Sequence, residues 1–585
     1  MRRPLAPHLV PLLLSLAVLA PAHPDPMYPR SEVGRFEVDG LDFRPHGAWR
    51  RETGRVRERR RALLAGGRLA QLNAPGGGSS IRVGGQYLVP VIPIAFANVA
   101  PPFPAPAYQQ VLFAADPAPL PYSVRSYYTE VSRGRVTIDG VLFGWVAADS
   151  SDTYYEDGCN GIGVLDSCPR GTAPFGELLL QALERSDTGG VDWGRFDNDG
   201  ADGLPNSGDD DGVVDFVTFL QPEVDGACGT TNLWAHRFDV GFWRGGGFLT
   251  ASPVRDAAGT PIPGSFIRIR DYTLQSAVGG PGACTAGQLM PIGTVAHETG
   301  HAFGLPDLYD TNLRSPAVTQ GLGEWSIMGS GNYTQPYSPA GLDAWSLAEL
   351  GWVAVDAAPA AGPVVLPPVA TSDTVLSLVV PGTDEYFLLE NRQAIGSDSA
   401  QLNPACQFNG RACAKGPGML IWHIDAGQVA AHGFFQDNRV NSGPIHGVAL
   451  VQADGLNQLR QPGSRNRGDA GDPWPGSSGN SRFNDTSTPA ARDNQGLSAG
   501  FALDTIRQLA AGGAIGFSLR RITPGGVTVT LTEASDALVR RRPLAVAQAA
   551  FLDSLGNANG SYDAGDFLAW YRMQLVSGSR TAGSR

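Results

Sequence analysis

Lysine is almost absent from this 585-residue chain: Lys415 stands alone, and every other basic residue is arginine. We read that skew as codon bias. Charge of either sign is scarce, at 17% of residues, and the formal net charge is -12. That net negative charge argues against a nucleic-acid partner. No run of about 18 apolar residues occurs, so no transmembrane helix is expected. No cysteine pair has the CxxC spacing of a structural zinc site. Glycine (75) and proline (45) are plentiful and 42% of residues are hydrophobic. That mix predicts many turns, short strands and a large core, with length for several domains.

The N-terminus reads as an export signal. Met1-Arg2-Arg3 is a charged head, Leu9 to Ala20 a short apolar core, and Ala20-Pro21-Ala22 a cleavage site. Residues 1–22 are therefore expected to be a signal peptide, and the mature protein to be secreted and extracellular. The six cysteines suit an oxidising destination. Pairing of neighbours is the simplest arrangement: Cys159 with Cys168, Cys406 with Cys413, and Cys228 with Cys284. Residues 23–80 read as a pro-segment. An arginine-rich stretch from Arg50 to Arg61 leads to Gly76-Gly77-Gly78, a flexible linker open to proteolysis.

The strongest chemical signal is His297-Glu298-Thr299-Gly300-His301. On a helix, side chains four apart share a face, so both imidazoles can reach one zinc ion. Glu298 then lies beside the zinc-bound water that it would deprotonate. Gly304 can take positive φ and stop the helix, and Pro306 helps prevent its continuation. The chain can then turn back and offer Asp307 as a third ligand. Downstream, Trp325-Ser326-Ile327-Met328-Gly329 resembles the Met-turn beneath the metal of metzincin peptidases, with Met328 as its methionine.

These residues resemble the immune inhibitor A group of secreted metallopeptidases, also called thuringilysins. Further resembling pieces are Leu305 to Asp310, Trp234-Ala235-His236, Leu350-Gly351-Trp352, Gly418 to Asp425 and Gly468 to Pro475. The resemblance covers roughly residues 85 to 480. It implies a zinc endopeptidase acting on protein substrates and made as a zymogen. His297 and His301 would be zinc ligands, Glu298 the general base and Asp307 the third ligand. Many metzincins place histidine where Asp307 stands, and tyrosine two residues after the methionine. Here that second position is Ser330, and the nearest tyrosine is Tyr333. Related peptidases are kept latent by a pro-segment carboxylate on the metal, a role open to Asp39 or Asp42.

The expected fold is an α+β metzincin-like catalytic domain over residues 81–353. Gln86 to Phe96 and Val213 to Leu220 read as buried strands, and Arg135 to Trp145 as a hairpin about Asp139-Gly140. Helices are expected over Ser123 to Ser132, Phe175 to Arg185, Ile292 to Phe303 and Tyr337 to Leu350. Residues 354–535 alternate short β-rich runs with turn residues and read as a β-sandwich-like region. Residues 536–585 form a helical tail.

Calcium is the second expected metal. Asp197, Asp199, Asp202, Asp209, Asp211 and Asp215 crowd a glycine-rich loop similar to thrombospondin type 3 repeats. Hard oxygen ligands separated by turn glycines suit calcium, and so many carboxylates would repel one another without a cation. In the tail, Asn557, Asn559, Asp563 and Asp566 resemble one dockerin or EF-hand loop, although Leu555 stands at the first ligand position. Two other readings stay open. Glu324 or Glu349 could serve as third zinc ligand, as in gluzincins. The chain could instead be a calcium-stabilised adhesion or binding protein with an idle protease site. No pattern speaks to oligomeric state.

Overall fold

The computed structural model describes residues 83–163, 168–198, 200, 202–311, 317–408, 411–433, 436–510, 512–522, 529–556 and 559–579. The signal and pro-segment stretches with Asp39 and Asp42, together with Asp199 and Asn557, lie outside the described residues.

The N-terminal half is a mixed α/β layer structure. Its main sheet uses β1 (Gly85–Ala95), β2 (Val136–Leu142), β3 (Val146–Ala147), β4 (Val217–Gln221), β5 (His236–Asp239) and β8 (Asp271–Ser276). The order is β2-β1-β4-β8-β5, with β3 also beside β1. All neighbours are parallel except β5, which runs antiparallel at the edge. A separate ribbon pairs β6 (Phe248–Arg255) with β7 (Pro261–Ile269). A shorter one pairs β9 (Val278–Gly279) with β10 (Thr285–Leu289).

Strand β1 is apolar on both faces because both are covered. Val89 and Val91 enter one core, and Ile92 and Ile94 enter another. Its two prolines cost little. Odd-numbered residues point toward β2 and β3, even-numbered ones toward β4. Pro90 therefore aims at the β4 side before that strand begins. Pro93 faces the gap between β2 and β3.

Three sequence expectations are corrected here. Asp139-Gly140 is no hairpin turn, since β2 runs straight through it as a parallel strand. Gly140 is there for space: a Cβ would lie 2.1 Å from the Phe113 ring and 2.7 Å from the Val89 carbonyl oxygen. The strand expected from Val213 starts at Val217. The helix expected from Tyr337 starts at Ala344, where the Asp343 carboxylate caps it by accepting the Ser346 N–H at 2.9 Å. Its end is as expected, at Gly351 with φ 74°.

The helices that matter for the site are α1 (Pro106–Phe113), α2 (Val124–Val131), α3 (Ala173–Ser186), α4 (Gly293–Ala302) and α5 (Ala344–Leu350). The Ser123 hydroxyl caps α2 by accepting the Ser126 N–H.

The C-terminal half contributes two further sheets. One has the order β11 (Ala354–Ala357), β13 (Thr374–Val379), β14 (Glu385–Arg392), β17 (Gly418–Asp425) and β18 (Val448–Leu450). The other has the order β12 (Gly362–Leu366), β20 (Ile515–Arg521) and β19 (Phe501–Gln508). The ribbon of β15 (Gln407–Phe408) and β16 (Arg411–Ala412) is closed by Cys406–Cys413. Leu378, Phe387, Leu389, Met419 and Ile421 of the first sheet share a core with Val364, Leu503 and Phe517 of the second. The opposite face, with Tyr386, Leu388, Leu420, Trp422 and Ile424, joins the core that surrounds α4 and α5. The first sheet is thus a wall with both faces buried, one of them against the N-terminal half.

Polar groups lock that wall. Arg392 is 2% exposed, and its guanidinium donates to Glu390 at 2.7 Å, Trp325 O at 2.5 Å and Leu342 O at 2.7 Å. Glu390 also accepts the Trp422 indole N–H at 2.8 Å. Lys415, the sole lysine, is buried against Glu324. The disulfides are Cys159–Cys168, Cys228–Cys284 and Cys406–Cys413, the expected pairs.

In the tail, α6 (Leu531–Leu538), α7 (Val546–Leu555) and α8 (Ala564–Ser579) share a small core of Ala534, Phe551, Leu552, Leu555 and Trp570.

Removing one partner of a buried ion pair leaves the other uncompensated, at a cost of about 3–5 kcal/mol. Arg392→Ala should therefore lower the chemical denaturation midpoint clearly; an unchanged midpoint would show the buried pair to be dispensable.

Candidate metal centre

Helix α4 carries three polar side chains into a buried setting. His297, Glu298 and His301 are 5%, 8% and 6% exposed. Such groups persist inside only when hydrogen-bonded or metal-bound. The helix is held from several sides. Tyr128 donates its hydroxyl to Ala296 O at 2.5 Å, and the Gly293 N–H reaches Pro336 O at 2.8 Å. Met328 lies against the middle turn, where a Cβ on Gly300 would come within 2.4 Å of its sulfur.

The helix stops as the motif predicts. Gly304 has φ 77°, and the Leu305 N–H returns to Gly300 O at 3.2 Å. The chain then doubles back, and the Leu308 N–H bonds Met328 O at 2.8 Å. That return brings Asp307 Oδ1 to 3.1 Å from His297 Nε2 and 3.3 Å from His301 Nε2. Each imidazole uses its other nitrogen on a carbonyl, Nδ1 of His297 on Ile327 O and Nδ1 of His301 on Leu305 O, both at 2.7 Å. With Nδ1–H donated there, Nε2 presents its lone pair to the common point.

The electrostatics ask for a cation. Burial works against protonated His297, yet Asp307 and Glu298 outweigh it and raise the group to about 9. Burial pushes Asp307 up, but His301 and His297 pull it below the usual carboxylate range. Burial also raises Glu298, against the pull of His301 and His297. Two imidazoles and one carboxylate, with ligand atoms all within 4.8 Å of one another, fit the donor set of a catalytic zinc with an open position.

Glu324 and Glu349 do not join this cluster. Glu324 is bound to Lys415 and Thr334. Glu349 lies on the buried helix α5.

Several residues of the site escaped the sequence reading. Tyr309 donates its hydroxyl to Asp307, and its ring lies 6.3 Å from that of His297 at an interplanar angle of 22°. It stood inside the quoted motif and could have been noticed. Asn438 carried no signal at all. It lies 131 residues downstream of Asp307, just before the C-terminal sheet's last strand, yet grips Asp307 twice. Its Nδ2 donates to Asp307 Oδ2 at 2.7 Å, and its Oδ1 accepts the Asp307 N–H at 2.9 Å. Asn438 has φ 56°. Asn441 adds a bond to Leu308 O at 2.8 Å. Tyr333 and Ser330 line the same cleft, as do Asp225, Trp234, His236 and Arg237.

The acidic loop and the tail loop are each tied together by their own hydrogen bonds. In the acidic loop, Asp202, Asp209, Asp210 and Asp211 accept backbone N–H groups of the loop itself. Asp197 accepts the Gly212 N–H at 3.0 Å, and Asp215 is 1% exposed. Among the described residues, these acids do not draw together as His297, His301 and Asp307 do. Asp454, Asp469 and Asp472 do. Asp472 there also accepts the indole N–H of Trp325 at 2.7 Å. In the tail, Asp553 accepts the N–H groups of Asn559 and Gly560, Asn559 donates to Asp563, and Asp566 accepts the Asp563 N–H.

Residues 101–350 match the family model described as immune inhibitor A peptidase M6, catalytic domain. This segment is similar to the immune inhibitor A-type peptidase domain. The pre-pro-metalloprotease PrtV of Vibrio cholerae is 27% identical over 239 residues, which is 38% of this chain and 23% of that protein. Immune inhibitor A of Bacillus thuringiensis is 26% identical over 243 residues, 39% of this chain and 31% of that protein. The chain thus spans less than a third of the curated relatives it matches. Asn438 lies beyond the matched segment of the peptidase domain.

Groups that orient a metal ligand typically change affinity 10- to 100-fold when removed, on the order of magnitude seen across metalloenzymes. Asn438→Ala should weaken zinc by roughly that factor in chelator competition. Unchanged affinity would mean that Asp307 holds its place without help.

Proposed function

We propose that the chain is a secreted, zymogen-derived zinc endopeptidase of metzincin type, acting on protein substrates. The observation that carries it is the meeting of His297, His301 and Asp307 at one buried point beside Glu298, within a peptidase domain. Zinc bound there would polarise the scissile carbonyl and acidify the attacking water. Glu298 takes the proton from that water and passes it to the leaving amine. The burial that raises Glu298 makes it a stronger base than a solvated carboxylate, which suits it to taking that proton. Tyr309 and Asn438 hold the Asp307 carboxylate, and Met328 supports the helix from below.

The domain division at 81–353, 354–535 and 536–585 belongs to the same proposal, with a β-sandwich-like C-terminal region. So does calcium in the Asp197 to Asp215 loop and, more locally, at Asn557, Asn559, Asp563 and Asp566. The density of carboxylates in each loop supports it.

Matured protein should hydrolyse casein. Glu298→Ala should lose about 10²-fold or more in rate with zinc still bound. If both forms hold zinc and cleave at the same rate, Glu298 is not the base. Selective removal of calcium, zinc being retained, should lower the melting temperature; an unmoved transition would dismiss a structural calcium.

A further inference from the structure

The cleft holds one carboxylate with no task in this mechanism. Asp225 follows β4 and opens the turn at Gly226–Cys228. Its Oδ1 accepts the N–H groups of Ala227 at 2.8 Å and Ala235 at 3.3 Å. Oδ2 accepts no hydrogen bond from the described residues. The side chain is 8% exposed and lines the same cleft as His297, Glu298, His301 and Asp307.

Among the described residues, no cation is among the charges that act on it. The other fixed charge on that wall is Arg237, whose guanidinium is bound to Asp271 at 2.5 Å. The charge that acts on Asp225 is that of Glu298, of the same sign. Burial pushes Asp225 up to about 6, so it is still ionised at neutral pH. A buried carboxylate without a counter-ion is costly, and a cation brought by a ligand relieves that cost.

The wall is also rigid. Cys228–Cys284 ties the turn to the β9–β10 ribbon. Asn160 Nδ2 donates to Thr230 O at 3.0 Å and Asn232 O at 2.7 Å, and Asn232 Nδ2 donates to Val224 O at 2.9 Å. Trp234 lines the same cleft as Asp225.

We infer that Asp225 forms a subsite for a basic side chain, so that the enzyme prefers peptides with arginine or lysine close to the scissile bond. The inference rests on the peptidase reading above. It differs from the metal chemistry in needing only Oδ2 of Asp225 and a substrate cation.

The test uses fluorogenic peptide pairs with arginine or neutral citrulline at one position, scanned on both sides of the cleaved bond. Matured wild-type protein should favour arginine by about 10- to 100-fold in kcat/KM at one position. Asp225→Asn keeps the acceptor that caps the turn and should bring that ratio close to one. Calorimetric binding of the same pairs to Glu298→Ala protein reads the subsite without turnover. Equal wild-type rates at every position, or a preference that survives in Asp225→Asn, would overturn the inference. Preferential binding of arginine without any turnover by the wild type would uphold the subsite and reject the peptidase reading instead.

Discussion

The structure depends on keeping one carboxylate oxygen about 3 Å from two imidazole nitrogens in a place that water hardly reaches. Asp307 Oδ1 occupies that spot. Left alone, a buried acid would take up a proton. Here the histidines hold it ionised, and it in turn favours the charged form of His297. A metal dication answers the same field without protons. The stop at Gly304, the returning segment bonded to Met328 O, and the clamp from Asn438 all serve this one placement.

That placement explains why the C-terminal half is built against the N-terminal half. A β-sheet with one solvated face would read as alternating apolar and polar residues. Tyr386-Phe387-Leu388-Leu389 and Met419-Leu420-Ile421-Trp422 are apolar throughout, and both their faces are buried. One face packs around α4 and α5, the other on the second sheet. The uninterrupted apolar runs already implied a third layer, which a simple β-sandwich reading passes over.

What could be read from the residues was local. The spacing of His297, His301, Gly304 and Asp307 lies within a single helix and its exit, so periodicity and glycine chemistry suffice. The cysteine pairs followed sequence proximity. Where a long-range neighbour decides, the pattern misled. Asp139-Gly140 has the composition of a turn but sits in a strand, because Phe113 and Val89 crowd the glycine from elsewhere. The segment from Tyr337 has helical composition but waits for the Asp343 cap, since Gly341 and Pro339 delay the first turn. Asn438 and Asp225 belong to no motif, and only the folded chain gives each its neighbours.

Lys415 shows the same limit from the other side. The scarcity of lysine carries no functional message, yet the one lysine present lies buried against Glu324, beside the turn that carries Trp325 and Met328. Arginine's broad, forked head needs several acceptors in plane, as Arg392 finds in Glu390, Trp325 O and Leu342 O. A compact ammonium group fits a pocket with one carboxylate at its end. Glu324 is thereby satisfied and kept away from the metal cluster. The carboxylate beside the two histidines is then the aspartate that the helix exit delivers, rather than a glutamate from farther along the chain.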